Sequence, residues 1–404
     1  MSAPGPRRTD LVIVANEQTP YRLHLHRRIA RELPELRLWS LFTHELATAP
    51  WPYQEIEEIR PVLFGRGESA RHQDSPWRQW REWRKGGRIL RWLSAREVAA
   101  VVVFGYNDLG RLRLIRSCHR RGVPVFLWGD SNILGDRAHG WRRRLKQFLL
   151  PRILAWCSGV LCCGRLGREY FVRYGVAPER IFVMPYEPDY DSIRMVPAAR
   201  VAANRTRYGL APDRRRLLYV GRLARVKRVD LLIRAFAAIA ALRPDWDLLI
   251  AGDGPLRQSL AALVPQGLRS RVIWTGFLAD PNDVAALYAA ADALVLPSDY
   301  EPWGVVVAEA CTRLAIVASS VVGAAAELVE DGVNGRRFPA GRLDGLVEAL
   351  LDVTAPERID AMKAASPGRL EAWRRRADPV EGLRQALESV GVLRPSRPRE
   401  STLV

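Results

Sequence analysis

The feature that most limits this chain is an alternation of short apolar runs and helical stretches, which occurs twice. In the first half the runs are "LVIVA" (11–15), "LRLWSLFT" (36–43), "VAAVVVFGY" (98–106), "VPVFLWGD" (123–130), "GVLCCG" (159–164) and "RIFVMPY" (180–186). Helical patterns separate most of them: one opens at Thr19-Pro20, a cap residue followed by proline, and others lie near 108–121, 140–155 and 166–174. Strands that are apolar throughout and separated by helices belong to parallel sheets covered on both faces. The segment 187–216 lacks a clean period and reads as a linker with a lead-in. The alternation then restarts with strands at 216–223, 246–254, 271–277, 293–298 and 315–320, and helices at about 229–242, 255–264, 282–290, 304–312, 324–330 and 343–352. The expected fold is therefore α/β, with two Rossmann-like units facing across a cleft: residues 1–190, a linker 191–215, and residues 216–375. A C-terminal helix over 376–392 and a disordered Pro- and Arg-rich tail over 393–404 complete the expectation.

Composition bears on partners and compartment. The 404 residues suffice for two cores. No apolar run approaches the ~18 residues of a membrane span, and the start lacks the apolar segment of a signal peptide. Five cysteines, none in a C-x-x-C pair, fit a reducing cytoplasm better than a disulfide framework or a zinc site. A net charge of +18 favours an anionic partner: nucleic acid, an anionic membrane surface or a phosphorylated substrate.

Two stretches carry chemistry. "GRLARVKR" (221–228) follows a strand and precedes a helix. Gly221 permits a sharp turn, and Arg222 and Lys227 on one loop form a diphosphate clamp; the alternative is a basic solvated turn. "PSDYEPWGVVVAEA" (297–310) sets Glu301 at a loop tip and Glu309 within the following helix. A carboxylate accepts hydrogen bonds from vicinal hydroxyls, so a ribose and a hexose could be held here; the alternative for Glu309 is a solvated helix residue, which its apolar flanks disfavour.

"GRL-x₃-K" (221–227), "GDGP" (252–255), "E-x₇-E" (301–309), "GAAAELVEDGVNG" (323–335) and "PYR" (20–22) occur together in the chain. In this combination the sequence resembles the retaining glycosyltransferases of the GT-B fold, in the large bacterial clade (family 4-like) that uses nucleotide-sugar donors. The resemblance covers about residues 10–352. It implies that Arg222 and Lys227 bind the donor diphosphate, that Glu309 binds the ribose, and that Glu301 contacts the transferred sugar, with help from the backbone of Pro302, Trp303, Gly304 and Val305. Asp253 and Gly254 would lie near the base of a UDP- or GDP-sugar. Arg222, Lys227 and Glu301 are the expected catalytic set, and Gly221 shapes the donor loop. One departure is evident: members usually carry a Gly-x-Pro turn after the second Glu, whereas this chain reads "CTRLAIVASS".

The acceptor is expected on the first half, at Thr19, Tyr21, Arg22, Tyr106, Asn107, Asp130 and Ser131, which end its strands. His24 and His26 read as helix-surface residues. Retaining transfer in this family is thought to pass the acceptor proton to the leaving diphosphate. No Asp-x-Asp metal motif lies in a suitable loop, so the basic clamp is expected to stabilise the leaving group, and neither a metal nor a cofactor beyond the donor is expected. The acceptor would be a glycan or a lipid-linked sugar, as in polysaccharide synthesis. Two basic, Trp-bearing segments remain. "WRQWREWRKGGRILRW" (77–92) reads as a peripheral contact with anionic membrane, while the apolar face of "WRRRLKQFLLPRIL" (141–154) reads as core. Two other readings are a catalytically silent sugar-nucleotide binder, which the intact clamp disfavours, and a nucleic-acid-binding protein. No recognition motif supports the latter.

Overall fold

The structure is a computed structural model that describes residues 9–47, 51–73, 75–136 and 139–395. The first sheet contains β1 (Thr9–Ala15), β2 (Leu36–Phe42), β3 (Pro61–Leu63), β4 (Val98–Phe104), β5 (Val125–Gly129), β6 (Gly159–Cys162) and β7 (Ile181–Val183). The second contains β8 (Arg215–Val220), β9 (Trp246–Ala251), β10 (Val272–Gly276), β11 (Ala293–Leu296), β12 (Ala315–Ser319) and β13 (Gly335–Phe338). Every pairing is parallel, in the orders β3-β2-β1-β4-β5-β6-β7 and β10-β9-β8-β11-β12-β13. Two edge strands, β3 and β13, escaped the sequence reading. They are three and four residues long, and Arg336 and Arg337 interrupt the apolar pattern of the second.

Strand periodicity divides the first core. Val12, Val14, Val101, Val103, Val125 and Leu127 point to one face, and Leu11, Ile13, Ala100, Val102, Phe126 and Trp128 to the other. The first face is covered by α2 (Gln79–Ser94), α3 (Leu109–Arg120), α4 (Gly140–Ala155) and α5 (Arg165–Arg173). The second is covered by α1 (Pro20–Glu32), with a helix from the far end of the chain described below.

The segment read as linker is not irregular. It holds α6 (Tyr190–Arg194), capped by the Asp189 carboxylate, and α7 (Ala198–Tyr208), closed by Gly209 in the left-handed region. Among the helices of the second unit, α8 (Val229–Ile239), α9 (Arg257–Ala262), α10 (Pro281–Ala289), α11 (Val305–Ala310), α12 (Ala325–Leu328) and α13 (Leu343–Val353), α10 receives α7. Asn204 donates to Asp283 (3.1 Å), which ties the two. The sequence hid these helices because α6 is only five residues long and α7 buries little, Asn204 being its one buried residue.

The chain ends in α14 (Ile359–Arg376) and α15 (Pro379–Glu388). The latter crosses back to pack on β7, β6 and α1 of the first unit. Gly382 makes this possible, since a Cβ there would stand 1.9 Å from the Val183 carbonyl oxygen. Arg28 of α1 fastens the return, bonding Glu32 (2.8 Å), Asp378 (2.8 Å) and Glu187. Of the expected tail, Leu393 is buried, and residues 396–404 lie outside the described residues. Among the described residues, no helix is long and apolar enough to cross a membrane. All five cysteines are free and buried.

Candidate functional site

Strand order locates the site. In each sheet the chain builds outward from its first strand, then reverses: β1 lies between β2 and β4, and β8 between β9 and β11. The crevice at the carboxyl ends of those strands is where parallel α/β sheets bind ligands. The loops leaving β1 and β4 hold "NEQTPYR" and "GYND". Those leaving β8 and β11 hold "GRLARVKR" and "SDYEPWG". The motifs singled out in the sequence therefore occupy both switch points.

On the second unit, the "GRL" and "GDGP" loops are laced together. Gly221 N–H donates to Ala251 (2.9 Å) and Leu223 N–H donates to Asp253 (2.9 Å). The contact is so close that a Cβ on Gly252 would stand 1.9 Å from the Gly221 carbonyl oxygen, and one on Gly254 2.5 Å from that of Leu223. These glycines are required by backbone crossing. Arg222 is exposed, and Asp253 is exposed with its carboxylate on the Gly254 N–H (2.7 Å). Lys227 ends a 3₁₀ turn and pairs directly with the Glu301 carboxylate, joining the two motif loops. Arg228, in the left-handed region (φ 51°), is held by Asp230 (3.2 Å) and Asp299 (2.9 Å).

Glu309 is not solvated. It accepts a hydrogen bond from the Tyr288 hydroxyl (2.6 Å). Burial pushes its carboxyl up from the ordinary value, and the tyrosine bond works against that rise. Gly304 takes φ +89° to start α11, and Gly323 lets the "VVGAA" turn sit under the Pro302 carbonyl. The Trp303 side chain is buried beside Trp373 (5.9 Å), which leaves its backbone, the part expected to help hold the donor, at the loop. It packs inward because an indole is too large and apolar to stay in a polar crevice when a core lies behind it. The turn lacking Gly-x-Pro is closed differently. Thr312 Oγ1 donates to Glu309 O (2.7 Å), and Arg313 donates to the carbonyls of Ile193 (3.0 Å) and Arg194 (2.9 Å) in α6.

On the first unit, a cavity of about 330 Å³ is lined by Tyr106, Asn107, Asp130, Ser131, Lys146 and, from the second unit, Tyr300. Burial raises the Asp130 carboxyl, opposed by its backbone bond, the Tyr186 hydroxyl and Arg22. Lys146 pairs with Asp136 (2.7 Å) and lies over the Tyr170 ring (4.9 Å). Asn132 bridges the crevice: its amide donates to the carbonyls of Pro302 (2.9 Å), Val321 (3.1 Å) and Glu301 (3.3 Å). Glu327 makes a second bridge to the Arg165 N–H (2.6 Å).

Not all expected acceptor contacts line this cavity. Thr19 is buried at the start of α1, and Tyr21 packs on Tyr186 (5.1 Å). Arg22 is buried, donates to the Glu17 carbonyl and lies over the Phe104 ring (4.8 Å). It braces the floor of the crevice, because a guanidinium with a carbonyl and a ring to contact can be taken out of water. The histidines are not surface residues either. His26 is fully buried against Ser40 (2.8 Å), which lowers its pKa to about 3, and His24 is half-buried, 3.7 Å from Asp189. Lys146, Asp136, Tyr170, Tyr288, Tyr300, Asn132 and Glu327 were missed. Asn132 and Tyr300 adjoin recognised motifs, but nothing in the sequence joins Tyr288 to Glu309.

Elsewhere, His44, Glu68 and Glu82 converge in a way that could hold a metal ion. The Lys85 ammonium takes the cation's place, 2.8 Å from Glu68, 2.9 Å from Glu82 and 3.3 Å from His44.

Two doubly wound units whose motif loops meet across one crevice define the GT-B fold. Residues 201–366 match the family described as glycosyl transferases group 1, so the second unit is a domain of that type. The α-D-kanosaminyltransferase of Streptomyces kanamyceticus is 42% identical over 159 residues, covering 38% of this chain and 40% of that protein. The D-inositol 3-phosphate glycosyltransferase of Segniliparus rotundus is 30% identical over 239 residues, covering 55% and 51%. The chain thus spans about half or less of these curated relatives. Among solved structures, Anabaena HepE in complex with UDP and glucose matches with a TM-score of 0.69 at 19% identity, over 96% of this chain and 100% of that one.

Proposed function

We propose that the protein transfers a sugar, with retention, from a UDP- or GDP-sugar to an acceptor hydroxyl on a glycan or lipid-linked sugar in the cytoplasm. The observation that carries this reading is that Arg222, Lys227 and Glu301 sit on the loops of the second switch point, with Glu309 in the helix that follows, opposite the cavity at Asp130. In this reading Arg222 and Lys227 meet the leaving diphosphate without a metal, Glu309 receives the ribose hydroxyls, and Glu301 positions both Lys227 and the sugar. The acceptor enters the 330 Å³ cavity, which is large enough for one sugar ring and lined by hydrogen-bonding groups.

Thermal shift against UDP, GDP and their sugar conjugates, repeated in EDTA, tests the donor site. Nucleotide diphosphate should raise the melting temperature with or without chelator, and Lys227→Ala should weaken binding by about 2 kcal/mol. No shift with either nucleotide would sink the reading. A shift abolished by EDTA and restored by Mg²⁺ would remove its metal-independent part.

A further inference from the structure

The row α2, α3 and α4 carries a surface that the sugar-transfer site does not use. All three helices begin at the carboxyl end of the first sheet, the end that holds the cavity: α2 runs into β4, α3 leaves it, and α4 runs into β6. The Leu109 N–H that starts α3 bonds Gln79 at the start of α2 (3.0 Å), so these helix starts are adjacent. Large apolar side chains stand in water here: Trp77 is 77% exposed, Trp80 61%, Trp141 69% and Phe148 56%, with Leu145 and Leu149 also exposed. The face of α4 expected to be core is therefore outside. Leu150 and Leu154 alone are buried in that helix, near its far end. The tryptophans around the start of α2 divide: Trp83 is partly buried under Arg113 (4.5 Å), whereas Trp80 and, in the turn just before the helix, Trp77 are exposed.

Charge identifies the occupant. Gly140–Ala155 holds five basic residues and no acidic one. Of these, Lys146 faces inward to Asp136, whereas Arg142, Arg143 and Arg144 are exposed. In α2 the one acid, Glu82, is buried and paired with Lys85, leaving Arg81 and Arg84 exposed. A protein partner would be expected to meet a rim of both signs. A face of Trp, Phe and Leu among arginines alone matches the headgroup layer of an anionic bilayer, where indoles sit at the interface and guanidiniums meet phosphate.

We infer that the starts of α2 and α4 together form one docking face for anionic lipid, and that it holds the cavity mouth at the bilayer surface so that the acceptor arrives on a lipid. Lys146 links the two, since it lines the cavity from the helix whose outer side docks. The lipid-borne acceptor rests on the sugar-transfer reading; the docking face does not.

The test is co-sedimentation of the full chain with phosphatidylglycerol–phosphatidylcholine vesicles and with phosphatidylcholine vesicles, at low and high salt. Trp141→Ser/Phe148→Ser and Trp77→Ser/Trp80→Ser variants are run beside it, with circular dichroism and UDP or GDP binding as controls of folding. Binding should require the anionic lipid, weaken with salt, and fall about tenfold or more in each double variant while nucleotide binding holds. Failure of the wild type to sediment at low salt, or variants that sediment like the wild type, would overturn the docking face. So would a concentration-dependent dimer, seen by light scattering, that the same variants abolish, since a second copy would then be the occupant. Vesicle binding without any nucleotide binding would leave the face standing and remove the sugar-transfer reading instead.

Discussion

At the residue scale, the site is built from pairs. Glu301 pairs with Lys227 and fixes its direction, while Arg222 stays exposed; in the proposed reading it is the cation that a diphosphate would meet first. Glu309 is a carboxylate taken partly out of water with a tyrosine hydroxyl to meet it. A carboxylate held this way has little freedom, so its remaining acceptor positions are set before a ligand arrives. Tyr288→Phe removes that bond without changing the shape of the packing. We expect donor affinity to fall by about 1 kcal/mol, five- to tenfold, with the melting temperature nearly unchanged, measured by calorimetric titration of the nucleotide diphosphate. An unchanged affinity would mean that Glu309 is not positioned through Tyr288. The spacing of the two glutamates was legible in the sequence. Tyr288 was not, because it lies 21 residues from Glu309 on another helix and only the sheet brings the two together.

At the element scale, the loops decide more than the helices. The turns after β8 and β9 cross at van der Waals contact, and the one after β11 rests on the turn after β12. Gly254→Ala introduces a Cβ 2.5 Å from a backbone oxygen that cannot rotate away. The two loops must part, at a cost of about 2–3 kcal/mol, and Arg222 moves with them. Denaturant unfolding should show the loss of stability, and nucleotide affinity should fall further than stability alone explains. Gly267→Ala, whose Cβ meets nothing within 4 Å, is the matched control. The sequence marked Gly221 as a turn residue and set Gly254 in a motif. It could not reveal that each one admits a neighbouring backbone, which is a property of two loops and not of one.

At the scale of the whole molecule, the two units are joined by more than the linker. Helix α15 returns to the first unit, and Arg28 gathers Glu32, Glu187 and Asp378 from three parts of the chain. Glu187 is almost fully buried, so Arg28→Met leaves it with the more distant Arg374, at 3.4 Å, as its ion-pair partner. Breaking such a pair should cost about 3 kcal/mol, seen as a lower melting temperature and as earlier proteolysis around α15, with nucleotide binding by the second unit retained. The sequence by itself determined the two parallel sheets, the cleft between them and the motif loops at their switch points, because strand periodicity, helix signals and glycine turns are local and repeat. It did not determine the edge strands, the helices α6 and α7, the inward Arg22 and Trp303, or the outward face of α4. Those depend on which surfaces remain uncovered once the sheets have formed, and a helix with basic residues on every side gives no local sign of which side that will be. Only the tertiary structure decided that Trp141 and Phe148 meet solvent beside the cavity and that Arg28 reaches residues up to 350 positions away.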